Sequence, residues 1–157
     1  MKITKPNRVT RTYTQILHGS PEIIFPLLCP VRELEWVKDW PLKVAYTNSG
    51  VAEVGCVFET ESGGDKTTWI ITQHNPETKF VEMVRVTPEV TACTLSIRLN
   101  SDGVNNKTLA HVTYSHTSLG IRGDAFIKEF TDNYYTQMML EWEKELNQYL
   151  KAGCMIT

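Results

Sequence analysis

The chain has 157 residues, 41% of them hydrophobic and 22% charged, and its formal net charge at pH 7 is -2. This length fits a single domain covering residues 1–157, because domains most often contain about 100–150 residues. Because the chain has no excess of basic residues, nucleic acid and anionic membrane surfaces are poor candidate partners, whereas small molecules are possible ligands.

The chain begins with basic residues, but no apolar stretch of the kind found in a secretion signal or a membrane span follows them. We therefore expect a cytoplasmic protein without stable membrane insertion. Residues 9–17 mix β-branched and aromatic side chains with polar ones, which predicts a first strand. Ser20 is a favourable N-cap and Pro21 suits the first position of a helix, which Pro26 then stops after about one turn.

A second short helix is predicted between two further prolines. Pro30 can begin it and Pro41 helps to end it, and this spacing places Trp36 and Trp40 four residues apart on one face. We interpret this segment as the gate and floor of a cavity. The two tryptophans either cover that cavity or attach the short helix to the sheet.

The middle of the chain alternates between apolar and polar residues with a period of two. The alternation runs through "AEVGCVFETE", "TTWIITQ", "KFVEMVRV", "ACTLSIRLN" and "KTLAHVTYSHT", and turn sequences such as "SGGD" and "SDGVNN" separate these segments. In the fourth segment the apolar residues Cys93, Leu95, Ile97 and Leu99 share one side. This pattern predicts antiparallel strands with one buried face and one hydrated face.

The last part of the chain has a helical period. From Asp124 to about Leu150 there is no proline or glycine, and aromatic or methionine side chains recur every four residues. The recurring residues are Phe126, Phe130, Tyr134, Met138 and Trp142. We expect one amphipathic helix of roughly 40 Å, long enough to cross a whole sheet.

The order of the elements predicts an α+β helix-grip fold. One strand, two short helices, six further strands and a long helix imply a curved seven-stranded antiparallel sheet around the C-terminal helix, since the sheet can bury its apolar face only there. Such a sheet diverges from the helix at its ends. The two short helices after the first strand are then available to close the gap.

Several segments also resemble a known superfamily. "SPEIIFPLLCPVRELEWVKDW", "GCVFET", "TTWIIT", "VEMVRVTPEV" and "VTYSHTSLG", followed by the long terminal helix, resemble the START-like (SRPBCC) helix-grip proteins, most specifically a bacterial branch. This superfamily includes Bet v 1-like, polyketide cyclase-like and lipid-transfer members. The resemblance implies a deep, mostly apolar cavity between sheet and helix that holds a hydrophobic small molecule. It implies no particular catalytic residue.

Aromatic, methionine and polar side chains at expected cavity positions are the candidate ligand contacts. Aromatic rings give flat apolar walls, and methionine adapts to irregular shapes, although an ordinary core would have the same composition. The candidates are Trp36, Trp40, Trp69, Met83, Arg85, Tyr114, His116, Phe130, Tyr134 and Met138.

Arg85 is the sharpest polar candidate. Within an apolar cavity it could bind a ligand carboxylate or carbonyl with two hydrogen bonds. The pattern of residues 79–86 does not decide which face of this strand is inside, because both faces carry apolar residues. The alternative is an ordinary arginine on the hydrated face of the sheet.

Tyr114 and His116 share one face of their strand and are the other weak catalytic candidates. If that face points inward, the pair could donate and accept protons in the enolisation or dehydration of a carbonyl compound. The alternative is an ordinary hydrogen-bonded histidine. Glu33 and Glu35 are two residues apart on a helix, point in different directions and are expected to be solvated.

Metal and cofactor sites have no support in the sequence. The four cysteines, Cys29, Cys56, Cys93 and Cys154, are scattered, with no CxxC and no cysteine–histidine cluster, which predicts reduced thiols. The nucleotide-binding, zinc-protease and serine-hydrolase motifs are absent from the sequence. We therefore expect no metal and no cofactor.

Three functions follow, in order of preference. The first is binding or transport of a hydrophobic small molecule or lipid in the cavity. The second is an enzyme of the polyketide cyclase/aromatase or dehydratase type that uses polar residues of the same cavity. The third is an interaction module, for example a homodimer or chaperone partner using the outer face of the sheet.

Overall fold

The computed structural model describes residues 1–155, and within them the chain forms one seven-stranded sheet. The strands are β1 (Arg8–Leu17), β2 (Leu42–Tyr46), β3 (Val57–Ser62), β4 (Asp65–Asn75), β5 (Phe80–Thr87), β6 (Thr91–Ser101) and β7 (Thr108–Ser118). The helices are α1 (Pro21–Ile24), α2 (Ile121–Glu129) and α3 (Asp132–Ala152), and two 3₁₀ turns cover Phe25–Leu27 and Arg32–Glu35.

The sheet is antiparallel throughout, in the order β1-β7-β6-β5-β4-β3-β2. Consecutive strands from β2 to β7 pair with each other, and β1 closes the order by pairing with β7. Helix α3 lies against the inner face of this sheet, with Tyr135, Met139 and Leu146 fully buried. The predicted helix-grip fold is confirmed.

The structure decides which side of each strand faces inward. In β6, Cys93, Leu95, Ile97 and Leu99 are buried, as the alternation predicts. In β5 the inward residues are Val81, Met83 and Arg85, whose partners on β6 are the buried Ile97, Leu95 and Cys93. Arg85 is therefore on the inner face of the sheet.

The predicted short helices after β1 are present as short pieces. α1 passes directly into the 3₁₀ turn at Phe25–Leu27, because Pro26 cannot continue the α-helical hydrogen bonding. Residues 30–41, which we call the cover segment, contain the second 3₁₀ turn and lie over one end of the sheet. Trp36 fastens this segment: it is fully buried, donates from Nε1 to the Leu27 carbonyl at 3.0 Å, and packs on Trp142 with ring centroids 5.6 Å apart.

The long C-terminal helix is confirmed, but it begins later than the sequence indicates. α2 ends at Glu129, and α3 starts at Asp132 and extends over 21 residues, about 31 Å. Thr131 separates them as the N-cap of α3, with its hydroxyl accepting a hydrogen bond from the Tyr134 amide at 3.2 Å. Arg11 on β1 stabilises this break between α2 and α3. Its Nε donates a hydrogen bond to the Phe130 carbonyl at 2.6 Å, and its guanidinium forms an ion pair with Asp132.

Glycine is required at the first turn of α2. A Cβ atom on Gly123 would lie 2.0 Å from the Val90 carbonyl oxygen and 2.6 Å from the Ser118 hydroxyl. α2 can therefore pack directly on the backbone at the start of β6 and the end of β7. This contact fixes α2 over one end of the sheet.

Candidate functional site

A cavity of about 350 Å³ lies between the inner face of β3–β7, α3 and the cover segment. This volume falls within the range of small-molecule sites, about 300–1,000 Å³. The residues that line it are Pro30, Glu33, Val37, Lys38, Trp40, Phe58, Trp69, Met83, Arg85, Leu95, Ile97, Tyr114, Met138, Met139, Glu141, Trp142 and Glu145.

The cavity occupies only one end of the space between sheet and helix, because aromatic rings fill the other. His116 packs between Phe126 and Phe130, with centroid distances of 4.7 Å to both rings. Tyr114 and Tyr135 continue this cluster at 5.8 Å from each other. The helix break at Phe130 permits α2 to place its aromatic residues there, while α3 spans the hollow end.

The candidate residues divide into two groups. Trp40, Trp69, Met83, Arg85, Tyr114 and Met138 line the cavity. Trp36, His116, Phe130 and Tyr134 do not line it. Trp36 instead attaches the cover segment to α3, and Phe130 belongs to the aromatic cluster. Tyr134 is 53% exposed on the outer side of α3.

His116 is buried and separated from the cavity by Tyr114. The two rings are stacked, with centroids 5.8 Å apart and an interplanar angle of 14°, an arrangement without a hydrogen bond between them. His116 Nδ1 lies 3.4 Å from the Thr91 hydroxyl, and Nε2 has no partner among the described residues. Burial, with the Arg85 charge as a smaller cause, lowers the pKa of His116 to about 3, so the ring is neutral.

Arg85 supplies a positive charge at the inner wall. Its guanidinium carbon lies 4.9 Å from the centre of the Trp69 ring and 5.8 Å from that of Tyr114. These cation–π contacts hold the side chain in the cavity wall. Its Nε is buried without a hydrogen-bond partner, and no carboxylate of the described residues forms an ion pair with it.

Glu33 is the polar residue that the sequence did not identify. Instead of being solvated, it faces the cavity from the cover segment, where it is only partly exposed. Burial raises its pKa to about 8, so most of this carboxyl group is protonated at neutral pH. The sequence does contain a signal: Pro30, Glu33, Val37 and Trp40 follow a helical spacing of three or four, so the glutamate belongs to an apolar face.

Tyr114 contributes the third polar group. It is half-buried against the cavity, and burial raises the pKa of its hydroxyl above the ordinary value. It therefore stays protonated and able to donate a hydrogen bond. Arg85, Glu33 and Tyr114 give the cavity one cation and two neutral donors at neutral pH.

The mouth of the cavity lies between the cover segment and α3. Lys38 and Glu141 are exposed and also border the cavity, which places its opening between them. Trp40 forms part of the rim, and its Nε1 donates to the Pro30 carbonyl at 2.9 Å. The middle of the cover segment is connected to α3 by a hydrogen bond of 2.5 Å that the Tyr149 hydroxyl donates to Glu35.

Within residues 1–155, no three histidine, cysteine or acidic side chains come close enough together to hold a metal ion. No helix of this part of the chain is both long and apolar enough to cross a membrane.

Solved structures with the same fold include proteins of several kinds. A truncated norcoclaurine synthase from Thalictrum flavum has a TM-score of 0.67 and 9% identity, with 96% of this chain and 98% of that chain covered. The Zhui aromatase/cyclase from a Streptomyces species has a TM-score of 0.65 and 7% identity, with coverages of 96% and 100%. The protein XoxI from Bacillus cereus has a TM-score of 0.63 and 16% identity, with coverages of 92% and 96%.

These likenesses confirm the fold that the resemblance to START-like proteins implies. At such low identities they carry no information on which residues act, or on what. No protein-family model matches the chain. A search of curated proteins finds no similar sequence.

Proposed function

We propose that this protein binds a hydrophobic small molecule in the cavity between sheet and α3. The observation that carries the proposal is the cavity of about 350 Å³, open between cover segment and α3 and lined mostly by aromatic and aliphatic side chains. Apolar ligands gain affinity from such walls because their transfer from water removes apolar surface from solvent. The solved structures that share this fold include a synthase and an aromatase/cyclase, and at 7–9% identity they do not indicate a reaction for this chain, so the proposal concerns binding first.

The neutral fluorescent probe N-phenyl-1-naphthylamine tests the proposal with the full chain. We expect saturable binding of one probe per chain, and extraction of the purified protein with organic solvent, followed by mass spectrometry, to identify any molecule already bound. A folded wild-type protein that shows no saturable probe binding would contradict the proposal.

A pair of substitutions on β6 locates the binding site. Leu95→Trp places an indole in the cavity, whereas Thr94→Trp adds the same side chain to the opposite, exposed face of the strand. We expect Leu95→Trp to abolish probe binding and Thr94→Trp to retain it. Met138→Trp fills the cavity from α3 and gives a second test if Leu95→Trp does not fold. Equal binding by the filled variants and Thr94→Trp would place the probe elsewhere.

A second candidate function is proton transfer to and from a carbonyl compound, as in a cyclase or dehydratase. It is favoured by the position of Glu33, whose pKa near 8 makes it an effective proton acceptor close to neutral pH. In such a step the Glu33 carboxylate takes a proton from the carbon next to the carbonyl. The electron pair of the broken bond moves to the carbonyl oxygen, where the Arg85 charge stabilises it.

Deuterium uptake by the ketone 2-tetralone in heavy water, followed by NMR, tests the second candidate. We expect the wild-type protein to accelerate exchange above the buffer rate, and Glu33→Gln to lose this acceleration while it still binds the neutral probe. Exchange at the buffer rate in the presence of a folded, probe-binding wild-type protein would rule out proton transfer to this ketone class and leave binding alone.

A further inference from the structure

The charge of Arg85 has no counter-ion among residues 1–155. Across the sheet its neighbours are Trp69 on β4 and Cys93 on β6. Burial raises the pKa of the Cys93 thiol to about 11, so this sulfur stays neutral, and His116 beyond it is neutral as well. Glu33, the carboxyl group on the opposite wall, is mostly protonated near neutral pH.

A guanidinium in such a position is costly unless something else balances it. Guanidinium groups stay charged in proteins, and a charge taken from water must be paired or hydrogen-bonded to recover its hydration energy. The faces of Trp69 and Tyr114 offset part of this cost, but an aromatic ring accepts no directed hydrogen bond from the buried Nε. Among the described residues, Arg85 thus lines the cavity without a hydrogen bond or ion pair that would balance its charge.

We infer that the molecule bound in the cavity is a hydrophobic acid whose carboxylate pairs with Arg85. This inference rests on the proposed binding function and specifies the chemical class of the ligand. Planar carboxylates match the donors of a guanidinium with two parallel hydrogen bonds, which favours them over a single carbonyl oxygen.

The distribution of charge also sets the direction in which such an acid enters. Glu141 and Glu145 border the cavity on α3, and Glu141 is exposed at the mouth. Lys38 offsets one of these two charges, so the residues at the mouth carry no excess positive charge that would hold a carboxylate there. The acid group therefore goes inward to Arg85, and the apolar body contacts Met83, Ile97 and other aliphatic residues of the walls.

A matched pair of ligands tests the inference. 1-Naphthaleneacetic acid and 1-naphthaleneacetamide have the same ring and the same number of non-hydrogen atoms, but only the acid is charged at neutral pH. Their dissociation constants are measured by calorimetry and by displacement of N-phenyl-1-naphthylamine. We expect the full-length wild-type protein to bind the acid about tenfold to a hundredfold more tightly than the amide, as charge-assisted hydrogen bonds allow.

Two arginine substitutions separate the local effect from a general effect of charge. Arg85→Met keeps an unbranched apolar side chain in the wall and should abolish the preference for the acid while leaving amide binding within about threefold. Arg98→Met is the control, because Arg98 also lies over an aromatic ring, 4.5 Å from the centre of Phe80, but on the exposed face of β6. It should leave the preference unchanged. If Arg85→Met does not fold, Arg85→Lys takes its place. This variant keeps the charge but not the paired donors, so it should retain only part of the preference for the acid.

The possible results distinguish the inference from the binding proposal. If the probe, the acid and the amide all fail to bind, both are wrong. If the probe and both ligands bind, but the acid has no advantage or keeps its advantage in Arg85→Met, the cavity binds apolar molecules and the acid inference is overturned.

Discussion

Glu33→Gln should change how the stability of the protein depends on pH. In the unfolded chain this carboxyl group ionises near pH 4.5, whereas burial in the folded state raises its pKa to about 8. Between these values the folded chain holds a proton that the unfolded chain has released. The free energy of unfolding of the wild-type protein therefore falls as pH rises from 4.5 to 8, and glutamine removes this dependence because it does not titrate.

The interval between the two pKa values sets the size of the effect. At about 1.4 kcal/mol per pH unit, the upper limit for the interval from 4.5 to about 8 is about 5 kcal/mol. Because Glu33 is partly exposed, solvent screens part of the carboxylate charge. We therefore expect the free energy of unfolding of Glu33→Gln to rise by about 2–5 kcal/mol relative to the wild type across this range. The other charged or titratable groups lining the cavity are unchanged in the variant: Lys38, Arg85, Tyr114, Glu141 and Glu145.

Urea unfolding at about pH 5, 6.5 and 8 measures the difference, with Glu35→Gln as the control. Glu35 is two residues away on the cover segment, but hydrogen bonds from Arg32 and Tyr149 lower its pKa to about 2. Its contribution to stability is present above the unfolded pKa and is lost only as the pH falls toward 2. The Glu35→Gln curve should therefore stay parallel to the wild-type curve in this range. A parallel curve for Glu33→Gln as well would refute the burial of Glu33.

Three further predictions concern the elements that position the cavity. Gly123→Ala should lower the free energy of unfolding, measured with urea, by about 1–3 kcal/mol, because its Cβ would lie 2.0 Å from a carbonyl oxygen. Gly120→Ala is the control: its nearest contact is at 3.5 Å, so it should lower the free energy of unfolding much less. Thr131→Ala should cost about 1 kcal/mol in the same assay by removing the N-cap of α3, and an unchanged value would contradict this role. Tyr149→Phe removes the hydrogen bond to Glu35, so hydrogen exchange in residues 32–40 should become faster while global stability changes by less than about 1 kcal/mol. Unchanged exchange would contradict a role for this hydrogen bond in holding the segment.

The strands were predictable where one face of the sheet is apolar and the other polar. β6 is the clearest case, since all four of its alternating apolar residues are buried. β5 could not be assigned a face, because Val84 and Val86 lie on its outer face and Arg85 on its inner one. β2 gave no pattern at all: this edge strand has only half-buried and exposed residues, so no alternation marks it.

The C-terminal helices show why a repeat of four residues misleads. A residue four positions along a helix with 3.6 residues per turn is rotated by about 40°, so a stripe from Phe126 to Trp142 turns gradually away from the sheet. The break at Thr131 resets the phase, and Tyr135 and Met139 are buried in place of Tyr134, which is 53% exposed. Thr131 followed by Asp132 was a readable N-terminal signal, but the uninterrupted apolar period concealed it.

The cavity and its charge have a common origin in the register of the sheet. Trp69, Arg85, Cys93 and His116 lie directly opposite one another on four neighbouring strands. Phe126 and Phe130 cover the His116 end of this row, which is neutral and therefore compatible with a packed aromatic core. Arg85 is at the boundary where that packing stops. Apolar side chains packed over a guanidinium would remove its hydration without offering a hydrogen-bond acceptor or a negative charge. The space beside it is therefore stable only if it holds water or an anion from outside. The hollow end of the fold is thus the end at which the described part of the chain supplies the Arg85 charge and no counter-ion for it.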